Sequence, residues 1–140
     1  MVWNVSTTEA TQVGEAAVST ALRVLIADDN DLVRSALREL IDSDERFIVV
    51  ALADGADTAV EAAREAQPDL AVVDVRMSGG GPAAVRGILD VAPGARVIAC
   101  SAYDDAFSRD EMAAAGATTY VVKGRDDVIS GLRSVCGLDA

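Results

Sequence analysis

The sequence contains no histidine, and its 12 basic residues are outnumbered by 23 acidic ones. Without histidine, and with only two well-separated cysteines, Cys100 and Cys136, the chain lacks the usual ligands of a zinc site. We interpret both cysteines as buried, reduced thiols. The formal net charge of −11 repels phosphate backbones, so we expect no direct nucleic-acid binding by this segment.

Long apolar runs are also missing. The longest are about strand length, well short of the roughly 20 residues that a membrane-spanning helix needs. The N-terminus has neither the positive start nor the continuous apolar stretch of a secretory signal. We therefore expect a soluble, cytoplasmic protein. Its 140 residues, 51% of them hydrophobic, suffice for one domain with a sizeable core but not for two ordinary domains.

Short apolar runs alternate with segments of helical spacing along most of the chain. Continuous runs of this length predict strands that are buried on both faces. The five runs are Val24–Ala27, Phe47–Leu52, Leu70–Val73, Val97–Cys100 and Tyr120–Val122. The clearest helical stripes are Leu32, Val33, Ala36, Leu37, Leu40 and Ile41, and then Val128, Ile129, Leu132, Val135 and Cys136. Five alternations of strand and helix predict a doubly wound α/β domain with a parallel sheet.

Residues 1–22 do not join this alternation. They are rich in Ser, Thr, Ala and Glu and have no strong amphipathic stripe. We expect a flexible N-terminal arm or linker there, followed by the folded domain at 23–140. A short docked helix over 8–18 is the alternative.

Chemically reactive residues stand where the apolar runs end. Asp28 and Asp29 follow the first run, and Asp74 follows the third. If these strands are neighbours, three carboxylates meet at one sheet edge, where a hard divalent cation such as Mg²⁺ would relieve their repulsion. Ser101 ends the fourth run and Lys123 the fifth. Together they offer metal ligands, a carboxylate nucleophile, a hydroxyl group and a cation, a set that suits phosphoryl transfer.

Each of these residues also has a purely structural alternative. Asp28 or Asp29 could cap the helix that follows, and Asp74 could be a turn residue. Ser101 could hydrogen-bond the local backbone, and Lys123 could be a solvated surface lysine. The functional interpretation depends on four successive elements placing suitable groups at the same end of one sheet.

The chain resembles the receiver domains of bacterial two-component response regulators, especially those fused to helix-turn-helix transcription factors. The resemblance runs from about residue 23 to residue 135 and is carried by VLIADDNDLVRSALRELI, DLAVVDVRM, ARVIACSAYDD and GATTYVVKG, in that order. It implies a flavodoxin-like sheet with strand order 2-1-3-4-5. It also implies a signalling switch that is operated by phosphorylation.

The resemblance assigns roles at the acidic edge. It implies that Asp74 accepts the phosphoryl group and that Asp29 and Asp74 ligate Mg²⁺ directly. Asp28 would act on the ion through water, and the backbone carbonyl of Arg76 would be a further ligand. In this family Arg76 also occupies a position that tunes the lifetime of the phosphorylated state.

Further roles follow along the fourth and fifth runs. By resemblance, Ser101 would hydrogen-bond the bound phosphoryl group, and Lys123 would pair with its oxygens. Tyr120 matches the aromatic switch residue whose rotamer follows Ser101, although ordinary packing at the sheet edge is an equal alternative. Tyr103 occupies the second tuning position. Because Arg76 and Tyr103 are both bulky, we hypothesise that they shield the acyl phosphate from water.

Two loops depart from the family pattern. Ser78 stands where receivers commonly have proline, and the segment continues as Gly79-Gly80-Gly81. We expect a mobile loop there, with Pro82 in the first turn of the next helix. Gly124 replaces the proline that often follows the family's lysine, so we expect no cis peptide bond at that position.

The resemblance implies a sensor histidine kinase or phosphotransfer protein as phosphodonor, and the receiver would catalyse its own phosphorylation. The output, through a partner or a fused effector domain, and the oligomeric state, including a homodimer, stay open. A phosphorylation-independent receiver that acts as an interaction module is the main alternative. A haloacid-dehalogenase-like phosphatase would need a second aspartate where Arg76 stands, and a flavin-binding module would not place acidic residues after its first strand.

Overall fold

Five parallel strands and five helices alternate in the computed structural model, which describes residues 20–137. The sheet order is β2-β1-β3-β4-β5, which confirms the predicted order and the doubly wound class. The strands are β1 Leu22–Ala27, β2 Phe47–Ala53, β3 Leu70–Asp74, β4 Arg96–Ser101 and β5 Thr119–Val122. The helices are α1 Asp31–Asp42, α2 Ala56–Ala66, α3 Gly81–Val91, α4 Ala106–Ala115 and α5 Val128–Val135.

Helices cover both faces of the sheet and enclose two apolar layers. Leu37 and Ile41 of α1 pack with Leu132 of α5 on one face. On the other face, Ile88 of α3 and Met112 of α4 pack with the alanine-rich side of α2. The central strands β1, β3 and β4 lie between these layers, so their carboxyl ends are held rigidly at one edge of the domain.

Two expectations about burial were wrong. The apolar run of β2 predicted a strand buried on both faces, but β2 is an edge strand, and Ile48 and Leu52 are 45% and 40% exposed. In α1 the predicted stripe is wider than the contact with the sheet. Leu37 and Ile41 are buried, whereas the neighbouring row of Leu32, Ala36 and Leu40 is exposed to solvent. An apolar run does not encode which strand or which row of a helix lies at the margin.

The glycine-rich loop after β3 is held by backbone hydrogen bonds and close packing. The Ser78 carbonyl accepts a hydrogen bond from the Ala56 N–H at 2.8 Å, and the Gly81 N–H donates to the Val75 carbonyl at 3.0 Å. A Cβ on Gly81 would lie 2.6 Å from the carbonyl oxygens of Asp74 and Val75. Glycine is therefore required at position 81 by this close approach. Pro82 lies in the first turn of α3, as expected.

The remaining expectations concern the cysteines and the chain ends. Cys100 is buried, as expected, but Cys136 is partly exposed at the end of α5, so the interpretation was wrong for the second thiol. Of the proposed arm at 1–22, residues 1–19 and the alternative helix at 8–18 lie outside the described residues, and Leu22 already begins β1. Within residues 20–137, every helix is too short or too polar to cross a bilayer.

Candidate functional site at the carboxyl end of the sheet

Three carboxylates meet where β1 and β3 end. Because these strands are neighbours in the sheet, Asp28 and Asp29 come next to Asp74, and one oxygen from each lies within 4.8 Å of the others. Asp28 is 2% exposed and Asp74 is 8% exposed, whereas Asp29 is open to solvent. The cluster is therefore buried on two sides and accessible from the side of Asp29.

The loop from β1 to α1 assigns the capping role to another residue. Asn30 is the N-cap of α1, and its side chain accepts a hydrogen bond from the Val33 N–H at 3.0 Å. The Asn30 N–H donates to the carboxylate of Asp28 at 2.9 Å. The alternative in which Asp28 or Asp29 caps α1 was thus wrong, and both carboxylates face the cluster side of the loop.

The cation of the site comes from Lys123, directly after β5. Its Nζ lies 2.7 Å from an Asp28 oxygen and 3.3 Å from an Asp74 oxygen. Its backbone N–H donates to the Ser101 carbonyl at 2.7 Å, which ties the end of β5 to the end of β4. With only 22% of its side chain exposed, Lys123 is not the solvated surface lysine of the alternative interpretation.

The electrostatics of the cluster favour an additional positive charge. Burial raises the pKa of Asp74 above its ordinary value, and although Lys123 opposes this shift, the charge of Asp28 adds to it. Burial alone would lower the pKa of Lys123, but the hydrogen bond to Asp28 and the charges of Asp74 and Asp28 outweigh it and raise that pKa. The lysine therefore stays charged at neutral pH, yet among the residues that the structure describes its one ammonium group contacts two of the three clustered carboxylates.

Two hydrogen bonds connect Ser101 and Tyr103 with the edge strand β5. The Ser101 hydroxyl is buried and accepts a hydrogen bond from the Tyr103 N–H at 3.0 Å, so the local backbone contact of the structural alternative is present. The Tyr120 hydroxyl donates to the Tyr103 carbonyl at 2.8 Å. Arg109 of α4 lies over the Tyr120 ring, 4.6 Å from its centroid. Tyr120 therefore bridges β5 and the β4–α4 loop.

Arg76 and Tyr103 form a second contact beside Asp74. The Arg76 guanidinium lies over the Tyr103 ring, 4.2 Å from its centroid, and 3.8 Å from an Asp105 carboxylate oxygen. The backbone N–H of Arg76 also opposes the rise in the pKa of Asp74 that burial causes. The stack links the loop after β3 with the loop after β4.

Comparison with known proteins agrees with this geometry. Residues 24–130 match the family model of the response regulator receiver domain. The chain belongs to this family. The receiver is 35% identical over 104 residues to the response regulator GacA of Pseudomonas viridiflava, which covers 74% of this chain and 49% of that protein. It therefore spans about half the length of the curated relatives it matches.

Two solved structures are similar over most of the receiver. A two-component response regulator of the LuxR family from Aurantimonas sp. SI85-9A1 is 29% identical with a TM-score of 0.79, covering 84% of this chain and 86% of that one. A chain of the CheX–CheY–BeF3–Mg²⁺ complex from Borrelia burgdorferi is 27% identical with a TM-score of 0.75. The second match covers 82% of this chain and 89% of that one.

The receiver's acidic cluster has the composition of a site for a hard divalent cation. Its donors are carboxylate oxygens, which Mg²⁺ prefers, together with main-chain carbonyls and water. The three carboxylates of Asp28, Asp29 and Asp74 are close enough to share one ion, and Lys123 alone does not neutralise them. The residues present therefore fit a magnesium ion.

Sequence reasoning missed Arg34, a charged residue that contacts the backbone of the site. Arg34 of α1 donates to the Asp28 carbonyl at 2.7 Å and also bonds the carboxylate of Asp31. The spacing of Asp31 and Arg34, three residues apart in a helix, was the available signal for the second contact. The bond to the Asp28 carbonyl had no signal, because it depends on how the loop folds back over α1.

Proposed function

We propose that this receiver accepts a phosphoryl group on Asp74 from a sensor histidine kinase or a phosphotransfer protein and works as a magnesium-dependent signalling switch. The observation that carries the proposal is the convergence of Asp28, Asp29 and Asp74 within 4.8 Å, with the Lys123 ammonium on two of them. Membership of the receiver family supports the proposal.

Asp29, Asp74 and the Arg76 carbonyl would hold Mg²⁺ directly, and Asp28 would hold it through water. When bound, the ion supplies positive charge to the oxygens of the transferring phosphoryl group. The similar CheX–CheY structure contains both Mg²⁺ and BeF3, which supports this assignment. The open side of the cluster at Asp29 leaves a path for the ion and the phosphodonor.

In the transfer itself, an Asp74 carboxylate oxygen attacks the phosphorus of a phosphohistidine. The new bond is an acyl phosphate P–O bond, and the P–N bond breaks. The imidazole leaves with the electron pair of that bond and takes up a proton from solvent. Lys123 already contacts Asp74, so its ammonium needs only a small movement to pair with the phosphoryl oxygens. Positioning and charge neutralisation then supply most of the catalysis.

The switch would begin at Ser101. Its hydroxyl oxygen now accepts a hydrogen bond from the Tyr103 N–H, and turning toward a phosphoryl group on Asp74 would release that N–H. The same segment carries the carbonyl that holds the Tyr120 hydroxyl. Movement at Ser101 would therefore free Tyr120 to change rotamer and alter the surface of α4 and β5.

We also propose that Arg76 and Tyr103 slow the loss of the phosphoryl group. Their stacked side chains bridge the loops on two sides of Asp74, where they would obstruct attacking water. The R76A/Y103A double variant should lose its phosphoryl group faster than the wild type, measured as a half-life by mass spectrometry. Arg86→Ala, which removes an exposed arginine from α3, is the control. A half-life that changes little in the double variant contradicts the shielding role.

For the whole protein we propose a cytoplasmic regulator in which an arm or linker precedes the receiver, whose first strand begins at Leu22. The output would come from a fused effector domain or a separate partner. The relatives' lengths support this proposal, because the chain covers only about half of them. The net charge of −11 makes direct nucleic-acid binding by the receiver unfavourable.

The decisive experiment is incubation with Mg²⁺ and acetyl phosphate, followed by intact-mass measurement. We expect one phosphoryl group on the wild type and on Asp90→Asn, an exposed aspartate of α3, and none on Asp74→Asn. Absence of an adduct on the wild type, or its persistence on Asp74→Asn, would overturn the proposal. Absence on the wild type would favour the phosphorylation-independent interaction module.

The sequence offers a second readout, because Lys123 is its only lysine. Labelling with ¹⁵N-lysine yields a single backbone amide signal, from the N–H that donates to the Ser101 carbonyl. Addition of Mg²⁺ and beryllofluoride should shift this signal in the wild type and leave it in place in Asp74→Asn. An unchanged signal in the wild type would contradict the proposed site.

A further inference from the structure

Arg34 of α1 contacts the β1–α1 loop. Its side chain is only 18% exposed although it lies on a surface helix. One guanidinium nitrogen donates to the Asp28 carbonyl at 2.7 Å, and another bonds the Asp31 carboxylate. The same side chain therefore connects Asp28, the first residue of the β1–α1 loop, with Asp31, the first residue of α1.

We propose that Arg34 is a positioning residue for cation binding, which presents Asp28 and Asp29 to Asp74 in one fixed arrangement. The inference rests on the proposed function, because it concerns the Mg²⁺ site assigned there. Arg34 does not reach the cluster oxygens in the contacts described. It acts on them through the backbone of the loop.

The loop needs such a fastening because it concentrates negative charge. Asp28 and Asp29 lie in the loop and Asp31 directly follows it, and their mutual repulsion favours an opened loop over the observed one. The Asp28 carboxylate is fixed by the Asn30 N–H and by Lys123. The corresponding restraint on the Asp28 carbonyl comes from Arg34. Without it, the backbone between Asp28 and α1 loses a hydrogen bond close to the metal ligands.

Arginine suits this task better than lysine. A planar guanidinium makes two directed bonds at once, whereas an ammonium on a flexible stem is a point charge. Arg34 uses this geometry, since separate nitrogens contact the Asp28 carbonyl and the Asp31 carboxylate. Lysine at position 34 would keep the charge and lose the double contact.

Positioning and simple electrostatics predict opposite results. If Arg34 acted only as a nearby positive charge, its removal would strengthen Mg²⁺ binding, because one repulsive charge would be gone. If it positions the ligands, its removal weakens binding, since the loop must be ordered again when the ion arrives. The sign of the change therefore separates the two roles.

The test measures the Mg²⁺ dissociation constant of the full chain by isothermal titration calorimetry, with Mg²⁺ alone as ligand. Arg34→Ala and Arg34→Lys should both bind about tenfold more weakly than the wild type, the effect typical of groups that orient metal ligands. Arg38→Ala is the matched control, because Arg38 lies one turn further along α1, pairs with Asp42 and is largely exposed. It should bind within about twofold of the wild type.

Amide hydrogen exchange in the metal-free proteins supplies a readout that is independent of the ion. The N–H of Asn30, bonded to the Asp28 carboxylate, and the N–H of Val33, bonded to the N-cap side chain of Asn30, should exchange faster in the Arg34 variants than in Arg38→Ala. Unchanged exchange in both Arg34 variants would contradict the fastening role. If Arg34→Ala does not fold, Arg34→Lys decides alone.

The outcomes separate the two proposals. A wild type that binds no Mg²⁺ overturns the proposed function. A wild type that binds, together with Arg34 variants that bind equally well or more tightly, overturns only the positioning role. Weaker binding by both Arg34 variants, with Arg38→Ala unaffected, supports the inference.

Discussion

The two ends of the sheet treat charge differently. At the amino end, charged side chains form ion pairs with each other or donate hydrogen bonds to backbone carbonyl groups. Arg23 donates to the Gln67 carbonyl, and its N–H donates to the Asp69 carboxylate. Arg96 donates to the Val135 carbonyl at 2.6 Å, and Arg46 pairs with Asp44. These contacts fasten the helix and strand ends to one another.

At the carboxyl end, the negative charge of the clustered carboxylates exceeds the positive charge beside them. Asp28 and Asp74 are buried beside each other, and Asp29 joins them. Within residues 20–137, the positive charge in contact with these carboxylates is that of Lys123, on Asp28 and Asp74. Stability alone does not explain such an arrangement, because buried like charges destabilise the folded state. The neutralised charges at the amino end stabilise the fold. The excess of negative charge at the carboxyl end indicates a site where a ligand supplies the missing positive charge.

The largest effect is expected from Lys123→Ala at the carboxyl end. It removes the cation that would pair with the phosphoryl oxygens, so the rate of adduct formation with acetyl phosphate should fall about 100-fold or more. It also leaves the buried Asp28 carboxylate without its ion pair, which should destabilise the fold by about 3 kcal/mol. Rates are measured by intact mass and stability by urea unfolding. Adduct formation near the wild-type rate would remove the functional distinction between the two ends.

Arg96→Ala makes the converse test at the amino end. Loss of the hydrogen bond to the Val135 carbonyl should lower the free energy of unfolding by about 1 kcal/mol, because α5 is no longer fastened to β4 at this end. Urea unfolding measures that loss, and calorimetry measures Mg²⁺ binding. The Mg²⁺ dissociation constant should not change. A weakened site in this variant would show that the two ends are coupled.

Asp74→Asn should change the free energy of unfolding less than the two preceding variants do, and in the opposite direction. Because the pKa of Asp74 is raised in the folded protein, mainly by burial, the protonated carboxyl favours folding. Its contribution is present below the unfolded-state pKa and is lost as the pH rises through the folded-state value. At neutral pH the ionised side chain therefore destabilises the fold, and Asp74→Asn should be more stable by about 0.5 to 1 kcal/mol.

Measurement without Mg²⁺ isolates this effect. Thermal unfolding of Asp74→Asn should occur at a higher temperature than that of the wild type, and the difference should shrink when Mg²⁺ is added, because the ion stabilises only the protein that binds it. Asp69→Asn at the amino end should do the opposite and destabilise, since Asp69 accepts the Arg23 N–H. Destabilisation by Asp74→Asn would mean that its contacts with Lys123 outweigh burial.

How much of this the sequence predicts depends on the range of the interactions. The strands and their order could be predicted, because apolar runs report burial locally and the four motifs report the family. The convergence of Asp28, Asp29 and Asp74 was predicted from the strand ends on the condition that β1 and β3 are neighbours, which they are. The exposure of Ile48 and Leu32 could not be predicted, since it depends on which elements lie at the margin of the sheet. Arg34 escaped prediction because its partner is a main-chain carbonyl, which has no residue-type signal.

The smallest effect concerns the two thiols, which lie toward opposite ends of the sheet. Cys100 is buried in β4, and that burial raises the pKa of its thiol to about 11. Cys136 lines a cleft at the amino end with Leu22 and Arg96. With Ellman's reagent at neutral pH, Cys136 should react in the folded protein, and Cys100 only when the protein unfolds.

Cys136→Ser leaves Cys100 as the only thiol and turns its labelling rate into a measure of opening at the carboxyl end. Where opening and closing are fast relative to labelling, that rate follows the free energy of opening. Lys123→Ala should then speed the labelling of Cys100, because the buried carboxylates above β4 lose their cation. Arg96→Ala should speed it less, in proportion to its smaller loss of stability. Equal acceleration by both variants would show that the two ends open together and that the difference in their charge balance has no counterpart in local stability.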